Sequence, residues 1–304
     1  MRVFVTGASG TIGSVVVADL IAGGHEVLAL ARSDASEQSL AKPGVSVLRG
    51  HLDDLDTLRA GAVRADGVIH LAFGHDDLSA AGIQKSMAQE AATIETFGAA
   101  LEGSGKPFVV ASGTPGVPGR ASTEKDPPLT EGLIGARGRN AQAVVALAAR
   151  GVRSSVVRLP RSVHAQGERS GCASMLVDSA RRTGISSYVG DGTQRWPAVH
   201  RLDAAPSFSD SCSSTPTLGR SFMRSATKAI PCARSPRSSV VCSSFRSKRL
   251  PWRRSDSSGA SSRRTSRHPA RGRERSSRGT QPTRASSRIS KRGTIQLSDS
   301  RAPA

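Results

Sequence analysis

The sequence predicts a doubly wound, mostly parallel α/β sheet over residues 1–205, followed over 206–304 by a basic Ser/Arg-rich tail that is disordered. Three observations predict it. The chain opens on a short apolar strand that runs through three glycines into a helix. Apolar runs of strand length then alternate with stretches of helical spacing as far as Ala205, and beyond that residue both the alternation and the charge balance change.

The opening element carries the most information. Arg2 to Val5 is a β-branched and aromatic run, whereas Ile12, Val15, Val16, Leu20 and Ile21 recur at helical spacing. Between them stands Thr6-Gly-Ala-Ser-Gly-Thr-Ile-Gly13. In this context Gly7 permits the tight turn, Gly10 lets backbone approach a pyrophosphate, and Gly13 lets the helix pack closely on the strand. The free N–H groups around Thr11, Ile12 and Gly13 then face phosphate, so a dinucleotide cofactor is expected here.

Glu26 to Arg32 reads as the second strand, apolar enough to be covered on both faces. The residue closing it selects the cofactor. An acidic side chain would bond the ribose 2′-hydroxyl of NAD, but Arg32-Ser33 stands here, which favours the 2′-phosphate of NADP; Asp34 keeps NAD open. Val45 to Arg49 is a third strand, Asp54 to Val63 a short helix and Asp66 to Phe73 a fourth strand, with His70 read as a packed strand histidine. Ala80 to Glu102 follows as a long helix, Lys106 to Ser112 as the fifth strand, Asn140 to Ala149 as a helix and Ser154 to Arg158 as the sixth strand.

The Thr6–Gly13 loop resembles that of short-chain dehydrogenase/reductases, in the extended or atypical branch that includes NAD-dependent epimerase/dehydratases. The resemblance implies an NAD(P)-dependent oxidoreductase or epimerase-like enzyme that transfers hydride to or from a small hydroxyl or carbonyl substrate. It implies that Leu52, in a Gly50-His51-Leu52 that departs from the family's Gly-Asp-Leu, lies by the adenine, and that Leu71, Ala72 and Phe73 line the cofactor ribose. It also places Ser112 at the catalytic Ser/Thr position, against the plainer reading of a Ser capping a turn. Arg195 and His200, in a segment similar to the family's substrate side, would meet the substrate, with Asp203 as orienter; a structural salt bridge is the equal alternative for that Arg and Asp. The family's Tyr-x-x-x-Lys pair is missing: Arg137-Gly-Arg-Asn-Ala141 stands in its place and the one tyrosine is Tyr188. Arginine stays protonated and supplies no base. A dinucleotide-binding protein without turnover is therefore the rival reading.

Residues 1–205 carry 21 Lys and Arg against 20 Asp and Glu, whereas 206–304 carry 22 against 4, so the tail holds almost all of the net +19. No segment has the length and apolarity of a membrane span and no signal peptide precedes the first strand, so a cytoplasmic protein is expected. Cys172, Cys212, Cys232 and Cys242 have no metal-ligand spacing and read as free thiols. With 26 Ser, the tail is too poor in apolar residues to offset chain entropy. One reading makes it an arm that binds nucleic-acid phosphates. The other is that it is translated one base out of register. Shifted codons over Ser225 to Val241 can encode GDEGxPVREIAEVIGR, an amphipathic helix, and those over Pro282 to Ile295 can encode THPGLIADLEAGHY, which resembles the closing residues of epimerase-like relatives.

Overall fold

The computed structural model describes residues 1–117, 119–167, 171–189, 195–213, 220–223, 227–231 and 246–250. The first half alternates strand and helix: β1 (Arg2–Thr6), α1 (Gly13–Ala22), β2 (Glu26–Ala31), α2 (Asp34–Leu40), β3 (Val45–Arg49), α3 (Leu55–Val63), β4 (Gly67–His70) and α4 (Ala80–Leu101). Then come β5 (Pro107–Gly113), α5 (Gly135–Ala146), β6 (Arg153–Leu159), β7 (Ser162–His164), α6 (Gly171–Thr183), β8 (Ile185–Val189) and β9 (Arg195–His200). The remaining elements are α7 (Arg201–Ala204), α8 (Pro206–Ser213), β10 (Arg220–Met223), β11 (Thr227–Pro231) and β12 (Arg246–Leu250).

Seven strands form one sheet in the order β10-β6-β5-β4-β1-β2-β3, every neighbouring pair parallel. The order reverses between β1 and β4, and in open sheets of this kind ligands bind outside the carboxyl ends of the strands at that reversal. Two smaller sheets, β11-β9-β7 and β12-β8, complete the described strands.

Side-chain alternation divides the core between the two faces of the large sheet. Phe4, Leu28, Val68, Phe108, Val110 and Val156 pack with residues of α3, α4 and α5, whereas Val3, Val5, Val27, Ile69, Val109 and Val157 pack with residues of α1 and α8. On the first face, Phe97 of α4 meets Phe4, Phe108 and His70 edge-on, with ring centroids 5.9, 5.5 and 5.8 Å away. Such edge-to-face contacts add about 0.5–1.5 kcal/mol each beyond burial.

The structure corrects several boundaries. α1 starts at Gly13, just after the Ile12 that opens the helical spacing, and β4 ends at His70 instead of running on to Phe73, since Leu71 N–H turns to the carbonyl of Thr6, 3.2 Å away. Helix α2, absent from the sequence expectation, is capped by Ser33, whose hydroxyl accepts from Ser36 N–H at 3.2 Å. α5 begins at Gly135, five residues ahead of Asn140, and ends in a 3-10 turn over Leu147–Arg150. Order also continues past Ala205: Phe208 and Cys212 of α8 are buried in the face that packs on α1, and β10 extends the main sheet. Burial pushes the Cys212 thiol up to about 12, against the Arg153 and N-terminal cations, which makes it an inert packing group. The remaining tail, with Cys232, Cys242 and the stretch after Leu250, lies outside the described residues. Among the described residues no helix is long and apolar enough to cross a membrane.

Candidate functional site

The carboxyl ends of β1, β2 and β4 meet around the glycine turn. Gly7 holds φ +72°, and a Cβ there would lie 2.7 Å from Ala72 N; a Cβ on Gly13 would lie 2.0 Å from the Gly7 carbonyl oxygen. Only glycine fits either place. Gly10 N–H donates to that same carbonyl at 3.0 Å and closes the turn. Helix α1 follows with neither a side-chain cap nor an acidic residue in its first turn, so its N-terminal dipole faces the turn uncompensated. The packing of Gly7 on Ala72 brings the predicted Leu71 and Ala72 against the glycine turn, and Ala72 N–H points to the Thr6 hydroxyl at 3.4 Å; Phe73 instead meets His75 and Arg137.

Arg32 stands at the end of β2, exposed, with Nη1 3.1 Å from Asp76. Asp34 is turned away into an ion pair with Arg49 at 2.9 Å. Past the end of β2, Arg32 and Asp76 thus form an exposed ion pair that ties this edge to the loop after β4. Leu52 is partly buried against the core around Leu28 and Leu30, and its side chain serves packing.

His70 marks the border between this region and the next. Its Nδ1 is 2.6 Å from the Thr6 hydroxyl, and its Nε2 is buried without a hydrogen-bond partner. Burial first, and the Arg137 cation second, hold its pKa at about 3, so the ring is neutral and structural. His75 lies 5.0 Å from the Phe73 ring; desolvation and then Arg137 lower its pKa, against Asp76, which raises it.

Ser112 is the last residue but one of β5, buried, and its hydroxyl makes no hydrogen bond among the described residues. Its strand neighbour in register is Arg158 of β6, itself buried, whose Nη1 donates to the Asp126 carbonyl at 2.6 Å. Burial lowers the Arg158 pKa, opposed by Asp126 and Glu124. From α5, Arg137 lays its guanidinium 4.0 Å from the centroid of Phe73, donates from Nη2 to the Ala111 carbonyl at 3.3 Å and approaches Glu90 at 3.7 Å. Glu90 is buried in α4 and accepts from Asn140 Nδ2 at 2.9 Å; burial raises its pKa, and Arg137 and Asn140 lower it.

Glu90, Asn140 and Arg158 were not singled out from the sequence, yet a signal for Glu90 exists. It falls on the Met87, Glu90, Ile94, Phe97, Leu101 stripe at helical spacing, a charge where the period demands a core residue. Of the predicted substrate residues, His200 caps α7, its Nδ1 accepting from Leu202 N–H at 3.3 Å, with the His164 ring 5.5 Å away. Arg195 begins β9, pairing with Pro231 of β11, and its side chain lies outside the described set.

Residues 3–208 match the NAD dependent epimerase/dehydratase family, and the chain belongs to that family. An uncharacterized protein of Saccharomyces cerevisiae is 42% identical over 211 residues, 68% of this chain and 69% of its own length. An uncharacterized protein of Schizosaccharomyces pombe is 39% identical over 214 residues, again 68% and 69% of the two chains. Among solved structures, dTDP-glucose 4,6-dehydratase from Streptomyces venezuelae with NAD bound superposes with a TM-score of 0.67 at 20% identity, covering 83% of this chain and 85% of the other. UDP-glucose 4-epimerase of Thermus thermophilus in complex with NAD gives 0.65 at 18% identity over 83% and 86%. At these identities the likeness is one of fold.

Proposed function

We propose that the protein is an NAD(P)-dependent oxidoreductase or epimerase/dehydratase-like enzyme that acts on a small hydroxyl or carbonyl substrate. The observation that carries this reading is the pair of glycine-only positions, Gly7 and Gly13, set at an uncapped helix terminus in a chain of this family. Thr6, Gly7, Gly10, Thr11, Ile12 and Gly13 would hold the pyrophosphate, and Leu71, Ala72 and Phe73 the adjoining ribose. Backbone at Leu52 would lie by the adenine. Arg32, with Ser33 beside it, would meet a 2′-phosphate, so NADP is the preferred cofactor, with NAD as the alternative. When bound, the nicotinamide supplies the hydride acceptor or donor. Ser112 would hold the substrate oxygen, while Arg195 and His200 would meet the substrate.

The test is titration of NADPH and NADH into the full chain, followed by the rise in nicotinamide absorbance when the chain is incubated with NADP+ or NAD+ and primary or secondary alcohols. Saturable NADPH binding that Arg32→Asp shifts toward NADH supports the cofactor assignment. Equal affinity for both cofactors in the unmodified chain would overturn the preference for NADP.

A second reading, binding without turnover, is favoured by Arg137 standing where the Tyr-x-x-x-Lys pair would begin. It predicts cofactor binding with no oxidation of any alcohol. For the tail we propose a shifted reading frame beyond Ala205; what supports it is that the family match ends at residue 208 while the charge balance changes at the same place. Genomic reads across that codon decide between this and a nucleic-acid arm, which a fragment of residues 1–205 would lack.

A further inference from the structure

The carboxyl edge beyond β4 holds a set of hydrogen-bond donors that the cofactor reading does not use. In β5, Phe108 and Val110 face the layer formed with α4 and α5, while Val109 and Ala111 face the opposite layer. By alternation Ser112 belongs to the first face, and so does Arg158, since Val156 lies there and Val157 does not. Arg137 reaches the same place from α5. Its link is direct: Nη2 bonds the carbonyl of Ala111, the residue before Ser112.

The Arg137 guanidinium is held on two sides and open on the third. Phe73 supports its face, and Ala111 and Glu90 take one Nη, while Nε and Nη1 have no partner among the described residues. A quarter of the side chain, 26%, is accessible. Beside it the buried Ser112 hydroxyl is likewise without a partner among the described residues. A cation fixed by stacking, with free N–H groups next to a free hydroxyl, is built for an acceptor-rich anion, and the planar fork of arginine matches a planar carboxylate. Glu90 tempers the charge but does not occupy the fork: its Oε1 stands 3.7 Å from Nη2 alone, while its Oε2 accepts from Asn140. Arg158 adds a second guanidinium in the strand register next to Ser112, with Nη1 on the Asp126 carbonyl and its charge favoured by Asp126 and Glu124.

We propose that Arg137, with Ser112, is the specificity-determining pair of this site and binds the carboxylate of a small hydroxy- or oxo-acid substrate. The proposal rests on the enzyme reading above and narrows its substrate class to carboxylic acids. It also gives Arg137 a role that needs no proton transfer.

The experiment is calorimetric titration of oxamate, and of its neutral amide oxamide, into the full chain without cofactor and again with saturating NADPH. The expected result is at least about tenfold tighter binding of oxamate, a difference equivalent to about 1.4 kcal/mol. Arg137→Gln should abolish that preference and Arg137→Lys should retain part of it, since lysine keeps the charge and loses the fork. NADPH affinity and the thermal midpoint of each variant establish that the fold is intact. Equal or undetectable binding of oxamate and oxamide overturns the proposal, as does oxamate affinity unchanged in a folded Arg137→Gln. Tighter binding of inorganic phosphate than of oxamate overturns the carboxylate assignment. Failure of NADPH to bind while oxamate selectivity persists contradicts the cofactor reading alone and leaves the carboxylate site standing.

Discussion

The two ends of one sheet edge are built by different means. Around β1 and β2 the cradle is backbone: a left-handed Gly7, a Gly13 with no room for a Cβ, and an uncapped helix start. Around β5 and β6 the same edge is made of side chains, Ser112, Arg137 and Arg158, that arrive from three elements and are steadied by Glu90, Asn140 and Phe73. The first region is defined by shape and suits a ligand whose phosphates bind to N–H groups. The second is defined by charge and hydrogen-bond donors, and it is where the chain departs from the family's Tyr-x-x-x-Lys pattern. The contrast is between a cradle of backbone shape and a wall of side-chain chemistry; on the reading proposed above the first would hold the cofactor and the second would meet the substrate, where function on a shared fold is decided.

The border between the regions gives the largest expected effect. His70 binds a proton below about 3 in the folded chain, against 6.5 when unfolded. Between those values the unfolded state holds more protons, so this contribution is complete above pH 6.5 and is lost as the pH falls toward 3. The slope is about 1.4 kcal/mol per pH unit, roughly 4–5 kcal/mol over the window. Urea midpoints measured from pH 7 to 4 should fall accordingly, and His70→Phe should flatten the curve; an unchanged slope would remove His70 from the border.

Next in size, Gly13→Val should cost about 3 kcal/mol by overpacking and reduce cofactor affinity at least about a hundredfold, because its Cβ meets the Gly7 carbonyl. Denaturant unfolding and a cofactor titration check both halves of that statement. On the other side, Asn140→Ala should cost about 1–3 kcal/mol by leaving the buried Glu90 without its amide donor. Cofactor affinity should not change, and if it did the two regions would not be separable. The smallest effect belongs to the exposed pairs of Arg49 with Asp34 and Glu37, at 2.9 and 3.4 Å. Arg49→Ala should change stability by less than about 1 kcal/mol, and less still in high salt.

The first region was legible in the sequence because glycine spacing, strand pattern and helix pattern are contiguous there. Each of Thr6, Gly7, Gly10 and Gly13 lies within one turn of the next, so local chemistry dictates the geometry. The second region was only partly legible. Ser112 closes a readable strand, but its proximity to Arg137 and Arg158 depends on the α5 docking and on the β5–β6 register, which are long-range contacts. Arg137 was noticed for the base it does not supply, and its stacking on Phe73, 64 positions earlier, is visible only in three dimensions. Helix α8 was missed for another reason: its polar Ser207, Ser209 and Ser211 break the apolar pattern, yet Phe208 and Cys212 on one side suffice to bury it.

Titration of NADPH and NADH into the full chain and into Gly10→Glu, followed by nucleotide fluorescence, tests most directly whether the glycine turn is a dinucleotide cradle. Saturable binding in the unmodified chain, lost when a carboxylate is placed in the phosphate path, is the predicted result. Binding of neither nucleotide to a folded chain, or affinity unchanged in Gly10→Glu, would contradict it.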